Sequence, residues 1–140
     1  SNQLHVERIL SFGDSFKKEP CVSGVTVVWC ATSDLNETAV VGWYKSATVF
    51  REFQTFMDEN NAERYYNVLA PASGCVLLPQ GTRHRHIWSV PSKKYTRAFG
   101  FGQSMLWYAQ EEKSAPYLER LIGNINSYDE ENWLHTFPKE

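Results

Sequence analysis

The stretch that decides the fold is Ala39-Val-Val-Gly-Trp-Tyr-Lys-Ser-Ala-Thr-Val-Phe50. It is rich in β-branched and aromatic residues and therefore predicts a β-strand. Gly42 marks the place for a bulge or for the close approach of another backbone. Upstream, Val25-Thr-Val-Val-Trp-Cys-Ala-Thr32 has the same character. The polar turn Asp34-Leu-Asn-Glu37 lies between the two strands, so we expect them to form a hairpin.

Downstream of this hairpin, the pattern predicts a loop, two shorter strands and a helix. Residues 50–63 are polar and are expected to form a loop with at most one helical turn. Residues 64–70 and 75–79 are apolar and aromatic enough for strands, and the Pro-Ala-Ser-Gly sequence at 71–74 joins them as a turn. Apolar residues at helical spacing predict a helix over Ala115–Ser127.

These elements together predict an α+β domain. We expect a small, curved, mixed or antiparallel β-sheet or open barrel, flanked by one or two helices. Ser114 is a suitable N-cap for the helix, with Pro116 in its first turn. The domain is expected to span residues 24–128, between an N-terminal lead-in at 1–23 and a C-terminal tail at 129–140.

Composition excludes several classes of protein. The 140 residues are 42% apolar and 14% aromatic, which is enough to fill the core of one domain. No apolar run approaches the ~18 residues of a membrane helix, so a membrane partner is not expected. The net charge of -2 gives no global attraction to nucleic acid. Three dispersed cysteines argue against a disulfide framework or a four-cysteine zinc site, and they favour reduced, buried thiols in a cytoplasmic protein.

The sequence does not contain a recognisable catalytic motif. There is no nucleophile elbow, no His-Glu-x-x-His and no phosphate-binding glycine loop, and the acidic clusters lie in polar, solvated stretches. His84 and His86 would share one face of a strand, but two imidazoles are too few for a metal and the neighbouring arginines repel a cation. We therefore expect neither an enzyme nor a cofactor.

A basic segment at residues 80–98 is the strongest local feature. It contains no acid, and Trp88 and Tyr95 are interleaved with its cations. Cations beside aromatic rings suit a surface that holds phosphates and stacks bases. A solvated basic loop anchored by one aromatic residue is the alternative, and composition alone leaves both open. The cations are Arg83, Arg85, Lys93, Lys94 and Arg97.

The tryptophans suggest a binding pocket. Trp29 lies within a predicted strand and is expected in the core. Trp43-Tyr44 and Trp107-Tyr108 are adjacent pairs, and one member of a pair on a strand must face away from the core. Two such pairs and the basic segment indicate a pocket for a planar ligand.

The order of these segments resembles the EVE and YTH domains of the PUA-like superfamily. The resemblance rests on Val41-Gly-Trp-Tyr44, Arg64-Tyr-Tyr-Asn-Val68, Val76-Leu-Leu-Pro79 and the closing helix. The sequence is most similar to the EVE-like modules found N-terminal to bacterial HNH endonucleases. Its most specific part is Gly42-Trp-Tyr-Lys-Ser-Ala-Thr-Val-Phe-Arg51.

The resemblance implies a nucleic-acid reader, with DNA favoured over RNA. Such a module would take a methylated or hydroxymethylated base, flipped from the helix, into an aromatic pocket, and would target a modification-dependent restriction system. No HNH signature occurs in this sequence, so we expect any cleavage on a nuclease domain or subunit elsewhere. The implied pocket residues are Trp43, Tyr44 and Ser46, with Trp88 or Trp107 opposite. The implied backbone contacts are Lys45, Arg51 and the cations of the basic segment.

Two other readings remain open. A protein-interaction or structural module could share the fold without a base pocket, and it predicts that Trp43 and Trp107 are buried. A small nucleotide-acting enzyme needs a carboxylate or histidine inside the pocket, and His84 and His86 are the available candidates.

Overall fold

The computed structural model describes residues 4–9, 18–92, 100 and 106–136, which form a four-stranded antiparallel sheet and helices. The α+β prediction is confirmed at this level. The strands are β1 (Cys21–Thr32), β2 (Thr38–Met57), β3 (Glu63–Leu69) and β4 (Cys75–Leu77), and the helices are α1 (Ala115–Ser127) and α2 (Trp133–Thr136). Short 3₁₀ turns lie at Val6–Arg8, Ala72–Gly74, Thr82–His84, His86–Trp88 and Glu112–Ser114.

Strand β2 is the centre of the sheet. The order is β1-β2-β3, and β4 also pairs with β2. Against β3 the register places Val49 opposite Val68, and it is interrupted before Gln54 comes opposite Tyr66. Gly42 is buried where β4 passes, and a Cβ atom there would lie 2.4 Å from the carbonyl oxygen of Val76. The predicted close backbone approach at Gly42 is confirmed.

The chain forms two compact units. The first contains Ser1–Val27 and Tyr44–Gly74, and the second contains Val28–Trp43 and Cys75–Glu140. β1 and β2 therefore each contribute to both units. This division differs from the interval 24–128 expected from the sequence, since residue 24 lies inside β1.

The first unit is closed by a small valine core. Its buried residues are Val6, Val22, Val25 and Val49. Val6 belongs to the 3₁₀ turn Val6–Arg8, and the next residue, Glu7, accepts a 2.6 Å hydrogen bond from the guanidinium of Arg51 on β2. The part of the lead-in described by the structure thus packs against the strands.

The second unit has an aromatic core beneath helix α1. Leu121 and Ile125 of the helix are buried, in agreement with the predicted apolar stripe. Asn132 joins the C-terminal segment to β4, because its side chain accepts from the Leu77 N–H at 3.0 Å and donates to the Cys75 carbonyl oxygen at 2.9 Å. The remaining core residues are Val40, Trp43, Leu78, Trp88 and Val90.

Two local predictions are wrong, and a third holds only for position. Residues 50–57 continue β2 instead of forming a loop, because pairing with β3 satisfies their backbone while many of their side chains stay exposed. Trp29 is 41% exposed, since Val28 and Cys30 face the core and strand alternation turns Trp29 away. Ser114 is the N-cap residue of α1 and Pro116 lies in the first turn, as predicted, but the Ser114 hydroxyl does not bond the helix N–H groups and donates to the Glu111 carbonyl oxygen at 2.6 Å.

All three cysteines are free thiols, as expected. Cys75 is buried, whereas Cys21 and Cys30 are half-buried. Burial raises the pKa of Cys30 to about 11, so this thiol stays protonated and unreactive near neutral pH.

Candidate nucleic-acid interface

Trp43 and Trp88, two of the predicted pocket residues, form a stack inside the second unit. Their ring centroids are 5.3 Å apart with 27° between the planes, and Tyr128 meets both rings edge-on. Each indole is only 1% exposed. A base between two rings needs them roughly 7 Å apart, because each face contact takes about 3.5 Å. The pair therefore fills its own space and acts as core in this conformation.

The other predicted pocket residues do not share that position. Trp107 is half-buried, and its indole N–H donates to the Glu111 carboxylate at 2.9 Å. Its ring lies 6.3 Å from the ring of Tyr117 on α1. Tyr44 and Ser46 belong to the first unit, whereas the three tryptophans belong to the second.

Ser46 occupies an unusual backbone position. Its φ of 56° falls in the left-handed region, although it lies within β2. Residues other than glycine adopt this region at an energetic cost, and such positions are common at bulges and binding sites. The preceding Lys45 is half-buried, and a Cβ atom on Gly74 would lie 2.7 Å from the Lys45 carbonyl oxygen.

Several predicted phosphate contacts are already engaged within the protein. Arg51 pairs with Glu7 at 2.6 Å. The Arg85 guanidinium forms a bidentate ion pair with the Glu130 carboxylate, with N···O distances of 2.8 and 2.7 Å. Arg83 donates to the Leu78 carbonyl oxygen at 2.8 Å. These contacts lower the availability of each guanidinium for a phosphate. Lys93, Lys94 and Arg97, with Tyr95 between them, lie outside the described residues.

A groove of about 360 Å³ lies between helix α1 and the His86–Trp88 turn, which belongs to the described part of the basic segment. Ile87, Pro91 and Leu121 provide apolar surface, and polar side chains surround it. The Tyr117 hydroxyl donates to the Ser89 carbonyl oxygen at 3.1 Å, and burial raises the pKa of Tyr117, so this group remains a neutral donor. The polar lining residues are His86, Ser89, Tyr117, Arg120 and Asn124.

Helix α1 positions one wall of the groove. Tyr117, Arg120, Leu121 and Asn124 follow one another at spacings of three, one and three residues, which places them on one helical face. The sequence contains this signal, because Arg120 and Asn124 lie along one border of the apolar stripe of α1. The helical spacing of the apolar residues alone indicates only the surface that faces the core.

The opposite wall of the groove rests on the aromatic core. Trp88 is flanked by Ile87 and Ser89, which line the groove, and its own indole is buried against Trp43. No described residue accepts a hydrogen bond from the Trp88 indole N–H. The Trp43–Trp88 stack thus anchors the turn that shapes the groove.

Three further polar side chains line the groove, and they are the imidazole of His86, the guanidinium of Arg120 and the amide of Asn124. Arg120 lies close enough to Tyr117 for its charge to oppose the rise in the pKa of that hydroxyl. Arg51 and Arg85 are held by carboxylates. A ligand lying on the apolar surface of the groove could therefore meet a guanidinium cation, an imidazole, and an amide that both donates and accepts hydrogen bonds.

The described residues do not bring three histidine, cysteine, aspartate or glutamate side chains together in a way that could hold a metal ion. Within the same residues, helices are too short or too polar to cross a membrane. Comparisons of the chain with family models, with curated proteins and with solved structures found no match.

Proposed function

We propose that this chain is a nucleic-acid-binding module that takes a single base into the groove between the His86–Trp88 turn and α1. The observation that carries the proposal is an apolar surface bordered by the polar side chains of Arg120, Asn124 and His86. The resemblance of the sequence to EVE and YTH domains supports a PUA-like fold and a modified base as the ligand.

The size of the groove suits one nucleotide. Its volume of about 360 Å³ lies near the lower end of small-molecule pockets, which span about 300–1,000 Å³. Ile87 and Pro91 can contact the face of a base, and an added methyl group would gain further apolar contact. Extruding the base from a duplex costs a few kcal/mol, which contacts to the base and its phosphates must offset.

Some polar groups of the groove would bind the phosphate backbone of the nucleic acid, and others would bind the base. Arg120 presents a planar fork to a phosphate. The amide of Asn124 both donates and accepts, so it can pair with a base edge. Our proposed contacts to the nucleic-acid backbone also include Lys93, Lys94 and Arg97, which follow the groove residue Pro91 in the sequence.

The base would lie in the groove and not between the aromatic residues that the family resemblance implies. Trp43 and Trp88 support the groove from beneath, and Trp107 packs beside Tyr117. The groove does not include the β2 residues that the resemblance implies, which are Tyr44, Lys45, Ser46 and Arg51. The module binds without catalysis, as the targeting part of a modification-dependent restriction system whose nuclease is carried by another domain or subunit.

Fluorescence anisotropy with matched oligonucleotides tests the proposal. Unmodified, methyladenine, methylcytosine and hydroxymethylcytosine forms are compared in DNA and RNA at two salt concentrations. We expect one modified DNA to bind best, and Arg120→Gln and Asn124→Ala to weaken that binding by about tenfold. Lys113→Gln is the matched control, because it removes one exposed positive charge just before α1 and leaves the groove intact.

Two results of this experiment would contradict the proposal, and they differ from each other. Equal weakening by Arg120→Gln and Lys113→Gln, with no preference among bases, would reduce the site to a general basic surface. Tight binding that Arg120→Gln and Asn124→Ala leave unchanged would place the ligand elsewhere. Both results would contradict the groove as a base site.

A protein-interaction or structural module is the second candidate. The observation that favours it is the burial of Trp43, which leaves the predicted aromatic pocket closed. It predicts that no oligonucleotide binds at low salt, whereas the reader predicts salt-dependent binding with a base preference.

A further inference from the structure

We propose that β3 pairs with β3 of a second copy of this chain, joining the two sheets into one antiparallel sheet. This interaction surface lies in the first unit and is separate from the groove used in the proposed function. It consists of the β3 edge together with the exposed side chains of Tyr65 and Leu69.

The first observation is an open edge. Within the part of the chain that the structure describes, β3 pairs with β2 on one side and has no strand on its other side. A free strand edge presents unpaired N–H and C=O groups, and proteins usually protect such edges with charges, proline or bulges. Residues 65–69 are Tyr-Tyr-Asn-Val-Leu and contain no charge and no proline. The irregularity of the ladder lies on the β2 side, between Val49 and Gln54. The charges of β3, Glu63 and Arg64, lie together at one end.

The second observation is an exposed apolar face beside that edge. Tyr65 and Leu69 lie on one face of β3 because side chains alternate along a strand. Met57 lies on the same face, since it is opposite Glu63 in the register and Glu63 alternates with Tyr65. These side chains are 57% (Met57), 64% (Tyr65) and 54% (Leu69) exposed. Val68 lies on the other face, against the valine core.

A second copy suits this edge because β3 is compatible with itself. In the antiparallel register centred on Tyr66, Tyr65 comes opposite Asn67 of the second copy. Its diagonal neighbours are then Tyr65 and Leu69 of that copy, which are within reach of an aromatic ring. Two tyrosines and two leucines would thereby form one apolar cluster across the interface between the two β3 strands.

The same register avoids repulsion between like charges. Each Glu63 is three residues from the centre, so the two carboxylates lie roughly 20 Å apart at about 3.4 Å per residue. Salt screens exposed charges beyond about 8 Å at physiological ionic strength. Arg64 is neutralised within its own chain, where it pairs with Asp58 at 2.8 Å.

The available area predicts a weak dimer. The exposed side chains of Tyr65 and Leu69 cover only a fraction of the roughly 800 Å² per partner that an interface of standard size buries. The backbone hydrogen bonds along β3 add specificity more than affinity. We therefore expect dissociation constants on the order of 10 μM.

Sedimentation equilibrium at about 1 to 500 μM protein, combined with hydrogen exchange, tests this interface. We expect a monomer–dimer equilibrium in which amides of Glu63–Leu69 become more protected as concentration rises. The double substitution Tyr65→Glu and Leu69→Glu should weaken association by at least about tenfold. Leu35→Glu is the matched control, because Leu35 is 79% exposed in the β1–β2 turn and lies outside the interface.

Each other outcome overturns the proposal. A chain that stays monomeric throughout would leave the edge to a strand from a different protein. A dimer that protects other residues, or that persists in a folded double variant, would have a different interface. If the double variant does not fold, as judged by circular dichroism, the concentration dependence of exchange in the unaltered protein still decides.

Discussion

In the second unit Trp43 and Trp88 stack at 5.3 Å and are almost fully buried, whereas in the first unit Phe56 and Tyr65 of the β2–β3 hairpin are half or more exposed. Both regions are aromatic strands and turns of similar composition. The difference in exposure arises because an α-helix packs over the aromatic residues in one unit and not in the other. Helix α1 lays Leu121 and Ile125 against the tryptophans, while the described part of the first unit has no α-helix.

This contrast shows why aromatic residues in a sequence do not by themselves indicate a ligand pocket. Trp43 and Trp88 meet each other, so their faces are satisfied by packing. The space available to a ligand lies one layer outward, beside Ile87 and Arg120. In the hairpin, the Phe56 ring lies 5.8 Å from that of Tyr66 and is still 50% exposed, because the described part of the first unit has no α-helix to cover it.

The largest expected effect comes from emptying the covered core. Trp88→Ala should lower the free energy of unfolding by about 4 kcal/mol, because it removes a fully buried indole and leaves a cavity. Tyr65→Ala in the hairpin should cost less than about 1 kcal/mol, since its ring is already largely hydrated. Urea denaturation measured at a concentration where the protein is monomeric compares the two.

Trp29→Ala controls for residue type in that comparison. Trp29 belongs to the same unit as Trp88 but is 41% exposed, so we expect a loss of about 1 kcal/mol. Similar losses for both tryptophans would contradict the covered-core description.

The attachment of the C-terminal segment should have an intermediate effect. Asn132→Ala removes a side chain that bonds Cys75 and Leu77 of β4 and the Leu134 N–H, so three backbone groups each lose a hydrogen bond. We expect a loss of about 2 kcal/mol in unfolding free energy. Asn126→Ala is the control, because Asn126 is exposed on α1, and it should change stability by less than about 0.5 kcal/mol. Equal effects would show that residues 129–136 are a dispensable tail.

The smallest effect concerns the ion pairs of the two units and their dependence on pH. The hydrogen bond from Arg51 lowers the pKa of Glu7 below its ordinary 4.5, and the bond from Arg85 likewise lowers the pKa of Glu130. A lowered folded-state pKa stabilises the protein above the ordinary value, and this stability is lost as pH falls through the folded pKa. Both pairs should therefore weaken in acid below about pH 4.5.

The Glu7 pair should contribute more than the Glu130 pair. The side chains of Glu7 and Arg51 are 15% and 16% exposed, whereas those of Glu130 and Arg85 are both 48% exposed and more strongly screened. Thermal denaturation from about pH 6 to pH 3 should show a shallower fall in Tm for Glu7→Gln than for the unaltered protein, with a smaller change for Glu130→Gln. A larger change for Glu130→Gln would reverse the ranking.

Local pattern was sufficient for most secondary structure. The strands near residues 25–32, 39–50 and 64–70 and the bounds of α1 follow from β-branched composition and helical spacing, which act over neighbouring residues. Residues 51–57 could not be assigned this way, because an exposed hairpin needs no apolar alternation and its pairing partner lies several residues away. Ser114 satisfied the cap pattern, but its hydroxyl found the Glu111 carbonyl oxygen instead.

By itself, the sequence determined an α+β chain with free thiols, a close approach at Gly42 and an amphipathic closing helix, since each depends on residue type and short-range spacing. Only the tertiary structure decided which aromatics are core and which cations are neutralised. Trp43 and Trp88 are 45 positions apart, as are Arg85 and Glu130, so no local pattern could pair them. The groove at Arg120 arises from the same cause, because its two walls come from distant segments brought together by the packing of the core.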